Sequence, residues 1–433
     1  MNDPTTVFVE VSNTLSVPYT TGFQRHTREL LARLPGPRNT DGVLRFVPIR
    51  WCARHQCYRR LTPDEAERLA HAPDLADFPR TRLSQLGDAV PKPLRGPARA
   101  LAYTPPARWA RLRMSQARQA ELPPAYPELE IGPWPKRSIF FDLEAAWHDP
   151  RSRAELLPEL LEAGVIPATL VADVLPELHP DWFETGAAGL FRAFLRAHMR
   201  HSQRFICISK ATESDLRALA PTIGITRRLD CAVTTMGADF RLSSEAVKLP
   251  EPLADLRYLL CVSTLEPRKN QSMLIDAFDS MQGRYPELGV VLVGKIGWKT
   301  APLVERIRGH PLFGRRLLWF DKVDDSLLDT IYEHAFLAVT PSFSEGFGTP
   351  VIEALAHGVP TISSDGGALP EAGGDLAEYF PPTDLDALVR LIEGHLFDSH
   401  WHQDRRRALR GYRPPTWDEG AQLLHDSLAE LVT

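Results

Sequence analysis

The sequence predicts an α/β protein made of two doubly wound halves, each a parallel sheet covered by helices, and three observations carry that prediction. Short apolar runs such as Phe336 to Thr340 alternate along the chain with longer stretches whose apolar residues recur at helical spacing, as in parallel sheets with crossover helices. The order strand, glycine-containing loop, helix appears near the start, over 7–34, and again over 336–358. The 433 residues are more than one ordinary core holds, so two domains of about 200 residues each are expected.

Taken in order, Val7 to Val11 reads as a first strand, followed by a polar loop to Gly22 and a helix from about Gln24 to Leu34. Ligands of open α/β sheets gather where such loops leave the strand ends, so Gly22 and Gln24 are candidates, with an ordinary turn glycine as the plain alternative for Gly22. Val43 to Arg50 is a second strand. Residues 51–136 then break the rhythm as a proline-rich insertion. Within it, 91–120 carries Lys92, Arg95, Arg99, Arg108, Arg111, Arg113 and Arg118 with no acid. A run of one sign is usually a solvated face; beside Trp109 and Leu112 the alternative is contact with an anionic membrane surface. Strands resume at Ser138 to Asp142 and at Ala168 to Val171, which leads to Asp173, a residue suited to orient a ligand hydroxyl or to hold its own loop. His179 stands beside Trp182 and Phe183 and reads as a packing anchor. A helix over 185–201, a strand Arg204 to Ile208, a helix opened by Thr212 and a strand Cys231 to Thr234 bring the first domain to about residue 240, and the polar stretch Arg241 to Asp255 reads as a linker.

The second domain, 256–413, begins with the strand Tyr258 to Ser263. Its first loop holds Arg268 and Lys269 just before a helix that Asn270 can cap. The helix dipole disfavours cations at that end, so the pair is better explained by a bound diphosphate than by helix stability. Strands follow at Val290 to Val293, Leu317 to Phe320, Phe336 to Thr340 and Thr361 to Ser363, then a helix from Asp384 to Leu396; the final helix, near Glu419 to Leu431 in segment 417–433, is expected to return to the first domain.

The densest signal lies after Thr340. Backbone N–H groups of Gly346, Phe347, Gly348 and Thr349, placed before a helix over about 350–357, form an anion site, with Thr349 as the expected cap. Glu345 and Glu353 bracket this loop with seven residues between them. Carboxylates only accept hydrogen bonds, so such a pair suits a ligand that brings hydroxyls beside its phosphates. A capping box is the plain alternative for Glu353, but it needs three residues from cap to Glu and Thr349 to Glu353 is four. An unpaired charge in the apolar VIEALA is costly, which also points to a partner.

The run Glu345-GFGTPVI-Glu353, with GVPTISSDGGALPE after it and STLEPRKN before it, resembles the retaining glycosyltransferases of family four. The likeness extends more thinly to VSNTLSVPYTTGFQRHTRELL, VADVLPELHPDWF and ICISKATESDL, and so to most of the chain outside 51–136. It implies the GT-B fold, two facing Rossmann-like domains with a cleft between them, and transfer of a hexose from a nucleotide sugar to a glycan or lipid-linked acceptor in polysaccharide or lipopolysaccharide assembly. GDP-mannose or a GDP-deoxyhexose is the first candidate donor by the same resemblance. In that reading Arg268 and Lys269 stabilise the departing diphosphate, Glu345 holds the sugar, Glu353 the ribose, and the loop containing Gly22 and Gln24 faces the acceptor. The family usually has His or an aromatic before the residue matching Asp173, and here Ala172 stands there. No cofactor or metal is implied: Asp384-Leu385-Asp386 looks like a helix cap rather than a metal motif.

Composition bounds the alternatives. With 43% apolar and 24% charged residues the chain reads as soluble and globular, and a net charge of -5 gives no reason to expect nucleic acid. Of the five cysteines, Cys52 and Cys57 lack zinc spacing, and Cys207, Cys231 and Cys261 sit in or beside apolar runs, as reduced core thiols do. With no basic leader and no apolar stretch of about 18 residues, the expected location is cytoplasmic. A nicotinamide oxidoreductase should show G-x-G-x-x-G, and GFGTPV lacks the last glycine. A nucleotide-sugar-binding partner without catalysis is the remaining alternative, with Ala172 as its support.

Overall fold

The computed structural model describes residues 3–16, 22–37, 42–52, 54–71, 127–144, 146–184, 186–238 and 247–433. The chain divides into two units, one of Met1–Ile208, Asp215–Thr235 and Trp417–Thr433, the other of Ser209–Ser214 and Met236–Thr416.

Among the described residues the first unit holds seven strands: β1 (Thr5–Glu10), β2 (Leu44–Cys52), β3 (Cys57–Arg60), β4 (Ile139–Asp142), β5 (Ile166–Val171), β6 (Arg204–Cys207) and β7 (Cys231–Val233). Their order is β3-β2-β1-β4-β5-β6-β7, parallel except for the antiparallel edge strand β3. The sheet therefore reverses its winding between β1 and β4, where Phe8 faces Phe140 across the register. Helices Gly22–Arg33, Arg153–Glu162, Ala187–His201 and Trp417–Ala429 accompany the sheet. The last packs beside the first of these through His26 and Trp417, whose rings lie 5.6 Å apart, and through Arg33 on Asp418 at 3.0 Å.

The second unit carries β8 (Arg257–Val262), β9 (Leu288–Val293), β10 (Leu317–Phe320), β11 (Leu337–Thr340), β12 (Thr361–Ser364) and β13 (Ala377–Phe380), all parallel in the order β10-β9-β8-β11-β12-β13. Both faces are covered, which explains runs apolar at every position: Leu259 and Cys261 of β8 belong to one core cluster, Tyr258 and Leu260 to the other. The winding reverses between β8 and β11.

Several elements differ from the sequence reading. The stretch read as an insertion holds β3 and the helix Pro63–Ala70 on its near side. CYRR shows little apolar pattern because an edge strand buries one side only, here Tyr58 against Trp51. The helix is announced by a capping box, Thr62 with Glu65, and by Pro63. Helix Lys210–Thr222 starts two residues before Thr212, and helix Ala187–His201 starts after Gly186 rather than at 185. The basic run 91–120 and residues 241–246 of the expected linker lie outside the described residues. Cys207 and Cys261 are buried thiols outside any disulfide; Cys52 and Cys57 face each other across β2 and β3 without a disulfide. Among the described residues no helix is long and apolar enough to cross a membrane.

Candidate functional site

The loops after β8 and β11 meet because those strands are neighbours at the reversal of the second sheet, the place where open α/β sheets present their ligand sites. The backbone joins them first: Phe343 N–H donates to the Arg268 carbonyl at 2.8 Å. Side chains then converge. Arg268 donates to the Ser344 carbonyl at 2.8 Å and to Glu345 Oε2 at 2.5 Å, and Lys269 Nζ reaches Glu345 Oε1 at 2.5 Å. Glu266 takes a second donor of Arg268 at 3.0 Å, and Ser342 Oγ donates to Glu345 Oε1 at 2.7 Å. Arg268 and Lys269 are 14% and 12% exposed, Glu345 8%. Burial works to raise the Glu345 pKa, but the Arg268 and Lys269 charges outweigh it and hold it at about 2. Burial pushes Glu266 up, and the same two cations oppose it.

The chain enters the next helix in a way the sequence reading assigned to Thr349. The cap position is Gly348, the helix is Thr349–Ala356, and no side chain caps it. Gly348 has φ of +102°, and a Cβ there would lie 2.9 Å from the Cβ of Ala372, so the turn excludes side chains on both counts. Gly367 plays a similar part from the β12 loop: its φ is +62°, a Cβ would fall 2.4 Å from the Glu345 carbonyl, and Ala368 N–H donates to that carbonyl at 2.9 Å. The Gly-Gly after β12 thus lets a third loop lie over Glu345. Asn270 also departs from expectation. It occupies the cap position in the left-handed region, but its side chain makes no cap bond and donates instead to the Pro382 carbonyl at 3.0 Å. Asp384 does cap its helix, accepting from Ala387 N–H at 2.8 Å.

Glu353 is half-buried in that apolar helix and is not a capping-box residue. The hydroxyl of Tyr332 donates to its Oε2 at 2.9 Å. Tyr332, His357, Glu266 and Ser342 were not singled out from the sequence. Tyr332 and His357 have side-chain partners 21 and 28 residues away, which meet only once the chain folds, while Glu266 and Ser342 lie 2 and 3 residues from theirs and carry no pattern that sets them apart.

Comparison with known proteins assigns part of the chain. Residues 248–411 match the model of the glycosyl transferases group 1 family. This part of the chain is a group 1 glycosyl transferase domain. The serotype-specific mannosyltransferase WbdA of Escherichia coli is 26% identical over 293 residues, 64% of this chain and 36% of that protein. O-antigen chain mannosyltransferase B, also of Escherichia coli, is 35% identical over 188 residues, covering 41% of this chain and 47% of that one. The chain thus spans little more than a third of the length of WbdA. The crystal structure of Anabaena HepE in complex with UDP and glucose superposes with a TM-score of 0.60 at 14% identity, covering 98% of this chain and all of that one. Two units of this kind are the GT-B fold. Beyond the matched domain, the sucrose-phosphate synthase of Thermosynechococcus elongatus covers 99% of both chains with a TM-score of 0.55 at 17% identity.

In the first unit, Gly22 begins its helix rather than preceding it, and Gln24 is buried with Nε2 donating to Asn13 Oδ1 at 3.0 Å. Asp173 follows β5 and accepts from Leu175 N–H at 3.0 Å, which fixes its own turn. His179 stacks on Trp182 with ring centroids 3.9 Å apart, but His179 is exposed and Trp182 and Phe183 are only half-buried, so the expected packing anchor holds no core here. Another buried polar group lies at the reversal between β1 and β4. Arg153 donates to both oxygens of Asp142 at 2.7 Å; Asp149, Glu10 and Glu144 stand around the pair. Glu144 accepts from Asn13 N–H at 2.6 Å and Thr14 N–H at 2.8 Å. His198 Nε2 lies 3.0 Å from Asp142, and burial lowers its pKa. Among the described residues no group of three or more His, Cys, Asp or Glu side chains is placed to hold a metal ion.

Proposed function

We propose that the chain transfers a hexose, with mannose as the first candidate, from a nucleoside-diphosphate sugar to a hydroxyl of a glycan or lipid-linked saccharide during polysaccharide or O-antigen assembly. The observation that carries this reading is the convergence of Arg268, Lys269 and Glu345 at the sheet reversal inside a group 1 glycosyl transferase domain. Two cations beside an open loop of backbone amides match a diphosphate, and the names of the two Escherichia coli relatives add mannose. GDP as the nucleotide and retention of configuration come from the family resemblance.

In the transfer, the acceptor oxygen bonds to the anomeric carbon, the bond from that carbon to the diphosphate oxygen breaks, and the proton of the acceptor hydroxyl passes to the departing diphosphate. Negative charge grows on the diphosphate. Arg268 and Lys269 stabilise it, aided by the amides of Gly346, Phe347, Gly348 and Thr349, so no divalent metal is called for. Glu345 holds the sugar and Glu353 the ribose. Gly22, Gln24 and Asp173 are the first unit's contribution to the acceptor, and the reaction takes place on the cytoplasmic side.

Purified protein incubated with GDP-mannose, GDP-fucose or UDP-glucose, and with soluble or lipid-linked saccharides, tests the reading. Mannosyl transfer that survives EDTA and keeps the donor's anomeric configuration is the expected result. Donor binding without transfer to any acceptor would favour the non-catalytic partner, and transfer abolished by EDTA would end the metal-free reading.

A further inference from the structure

Glu353 is held by a side chain that the transfer itself does not require. Tyr332 is 2% exposed and sits at the end of helix Asp325–Glu333; its hydroxyl donates to Glu353 Oε2 at 2.9 Å. Its ring stacks on His357, with centroids 4.8 Å apart and planes 17° from parallel. His357 is fixed at both nitrogens: Nδ1 is 2.8 Å from the Glu353 carbonyl, and Nε2 is 3.0 Å from Asp329 Oδ1. Asp329 and Tyr332 are three apart on one helix, and Glu353 and His357 are four apart at the next, so each pair shares a face and the two faces interlock.

This arrangement exceeds what packing needs. A phenylalanine would fill the same space among Tyr258, Ile331, Ala335 and Ala354. The hydroxyl adds a donor aimed at a carboxylate, and a carboxylate only accepts. Burial, and after it the Glu353 charge, push the phenol pKa well above its usual range, so the proton stays on the tyrosine. One oxygen of Glu353 is thereby tied to a rigid ring, and the plane of the carboxylate is set. Two vicinal hydroxyls on a ribose need a carboxylate held in one orientation, since a freely turning one loses entropy on each binding event.

We infer that Tyr332 is the positioning residue for Glu353 and sets the preference of the site for nucleotides that carry ribose hydroxyls. The inference rests on the assignment of Glu353 to the ribose proposed above.

Calorimetric titration of the full chain with GDP and UDP, and with their 2′,3′-dideoxy counterparts, tests both. The readout is the ratio of dideoxy to ribo dissociation constants, which a purely structural loss would not move. Glu353→Ala should bring the ratio close to one. Tyr332→Phe should lower it about tenfold, while dideoxy binding changes by less than about twofold. The same Tyr332→Phe change in the Glu353→Ala background should add nothing. If Tyr332→Phe weakens ribo and dideoxy ligands equally, or leaves the ratio intact while Glu353→Ala removes it, the positioning role is wrong and the ribose assignment stands. If Glu353→Ala keeps the full ratio, or the unaltered chain shows none, the ribose assignment itself fails and takes this inference with it. Should Tyr332→Phe not fold by its melting curve, His357→Gln and Asp329→Asn replace it: a ratio lowered about threefold supports the role, and an unchanged ratio overturns it.

Discussion

Each unit keeps a buried group of charges at the same place, the point where its sheet reverses winding, and the two groups are built on opposite balances. In the second unit, the β8–β11 reversal sets two cations, Arg268 and Lys269, against two carboxylates, Glu266 and Glu345. In the first unit, the β1–β4 reversal sets Glu10, Asp142, Glu144 and Asp149 around Arg153, beside a His198 whose pKa burial lowers. The physical consequence follows from the counts. The balanced group holds its cations with an acid that a phosphate can replace. The acidic group repels phosphates and must keep some of its carboxyls protonated or bear the cost of their charge. Position in the fold therefore does not decide what a reversal point binds; charge balance does.

The largest expected effect lies on the balanced side. In the proposed transfer charge grows on the diphosphate as the glycosidic bond breaks, and contacts that strengthen in the transition state raise the rate rather than the affinity. Lys269 is a compact cation on a flexible stem, able to leave Glu345 and follow that charge. Lys269→Ala should lower kcat by about 10²–10³ with a smaller change in donor affinity, as measured by steady-state transfer on protein shown to be folded. Near-normal turnover would remove the diphosphate site from this reversal and leave the comparison without its functional half.

A smaller effect concerns stability. Glu345→Gln leaves two largely buried cations with one charged partner, so unfolding free energy should fall by about 3 kcal/mol at pH 7. The folded-state pKa of Glu345, about 2, is depressed from an ordinary 4.5. Its contribution is therefore present above pH 4.5 and lost as pH falls through about 2, so the gap between Gln variant and unaltered protein should close across that window. Denaturant titration from pH 7 to pH 2 checks this. Pyrophosphate, which brings charge without a sugar, should restore more stability to the variant than it adds to the unaltered chain. Equal gains would mean that Glu345 and phosphate do not compete.

The two groups were unequally legible in the sequence. Arg268, Lys269, Glu345 and Glu353 stand out by cations at a helix start, a lone acid in VIEALA, and the seven-residue spacing that sets Glu345 across the loop from that acid. That the first three touch is a property of strand order, since β8 and β11 are separated in sequence by β9 and β10 and become neighbours only in the sheet. The first unit's group left no such trace. Glu10 and Asp142 end ordinary strands, Arg153 opens an ordinary helix, and Asp149 reads as a loop acid, so each obeys its local rule and only the fold assembles them. The strands were readable for the same reason in reverse: a strand covered on both faces, such as LGVVLV of β9, must be apolar throughout, whereas the one-sided β3 need not be. Caps were the least legible. Thr349 and Asn270 have the right chemistry for the role, but Gly348 and the left-handed turn at Asn270 take the backbone another way.

The smallest effect has the opposite sign, and it tests whether the first unit's group is in surplus. Glu10 is fully buried; its Oε1 accepts from Ser12 N–H at 2.8 Å, while Oε2 makes no hydrogen bond and lies 3.9 Å from Arg153. Burial, then the charges of Asp149 and Glu144, raise its pKa well above 4.5, and Arg153 opposes them without prevailing. A carboxyl whose folded-state pKa is raised contributes stability that is fully present below its unfolded value and is lost as pH rises through the folded one. Glu10→Gln fixes the uncharged form and keeps an oxygen for Ser12. The variant should match the unaltered protein near pH 4 and exceed it by about 1 kcal/mol at pH 8, read from denaturant midpoints at pH 4, 6 and 8. Part of the slope should persist in the variant, because Glu144, which burial raises to about 7 against the pull of its bonds to Thr14 and Asn13, titrates within the same span. A Gln variant less stable than the parent at pH 8 would show that Arg153 needs the Glu10 charge. The first reversal would then be balanced like the second, and charge would no longer separate the two units.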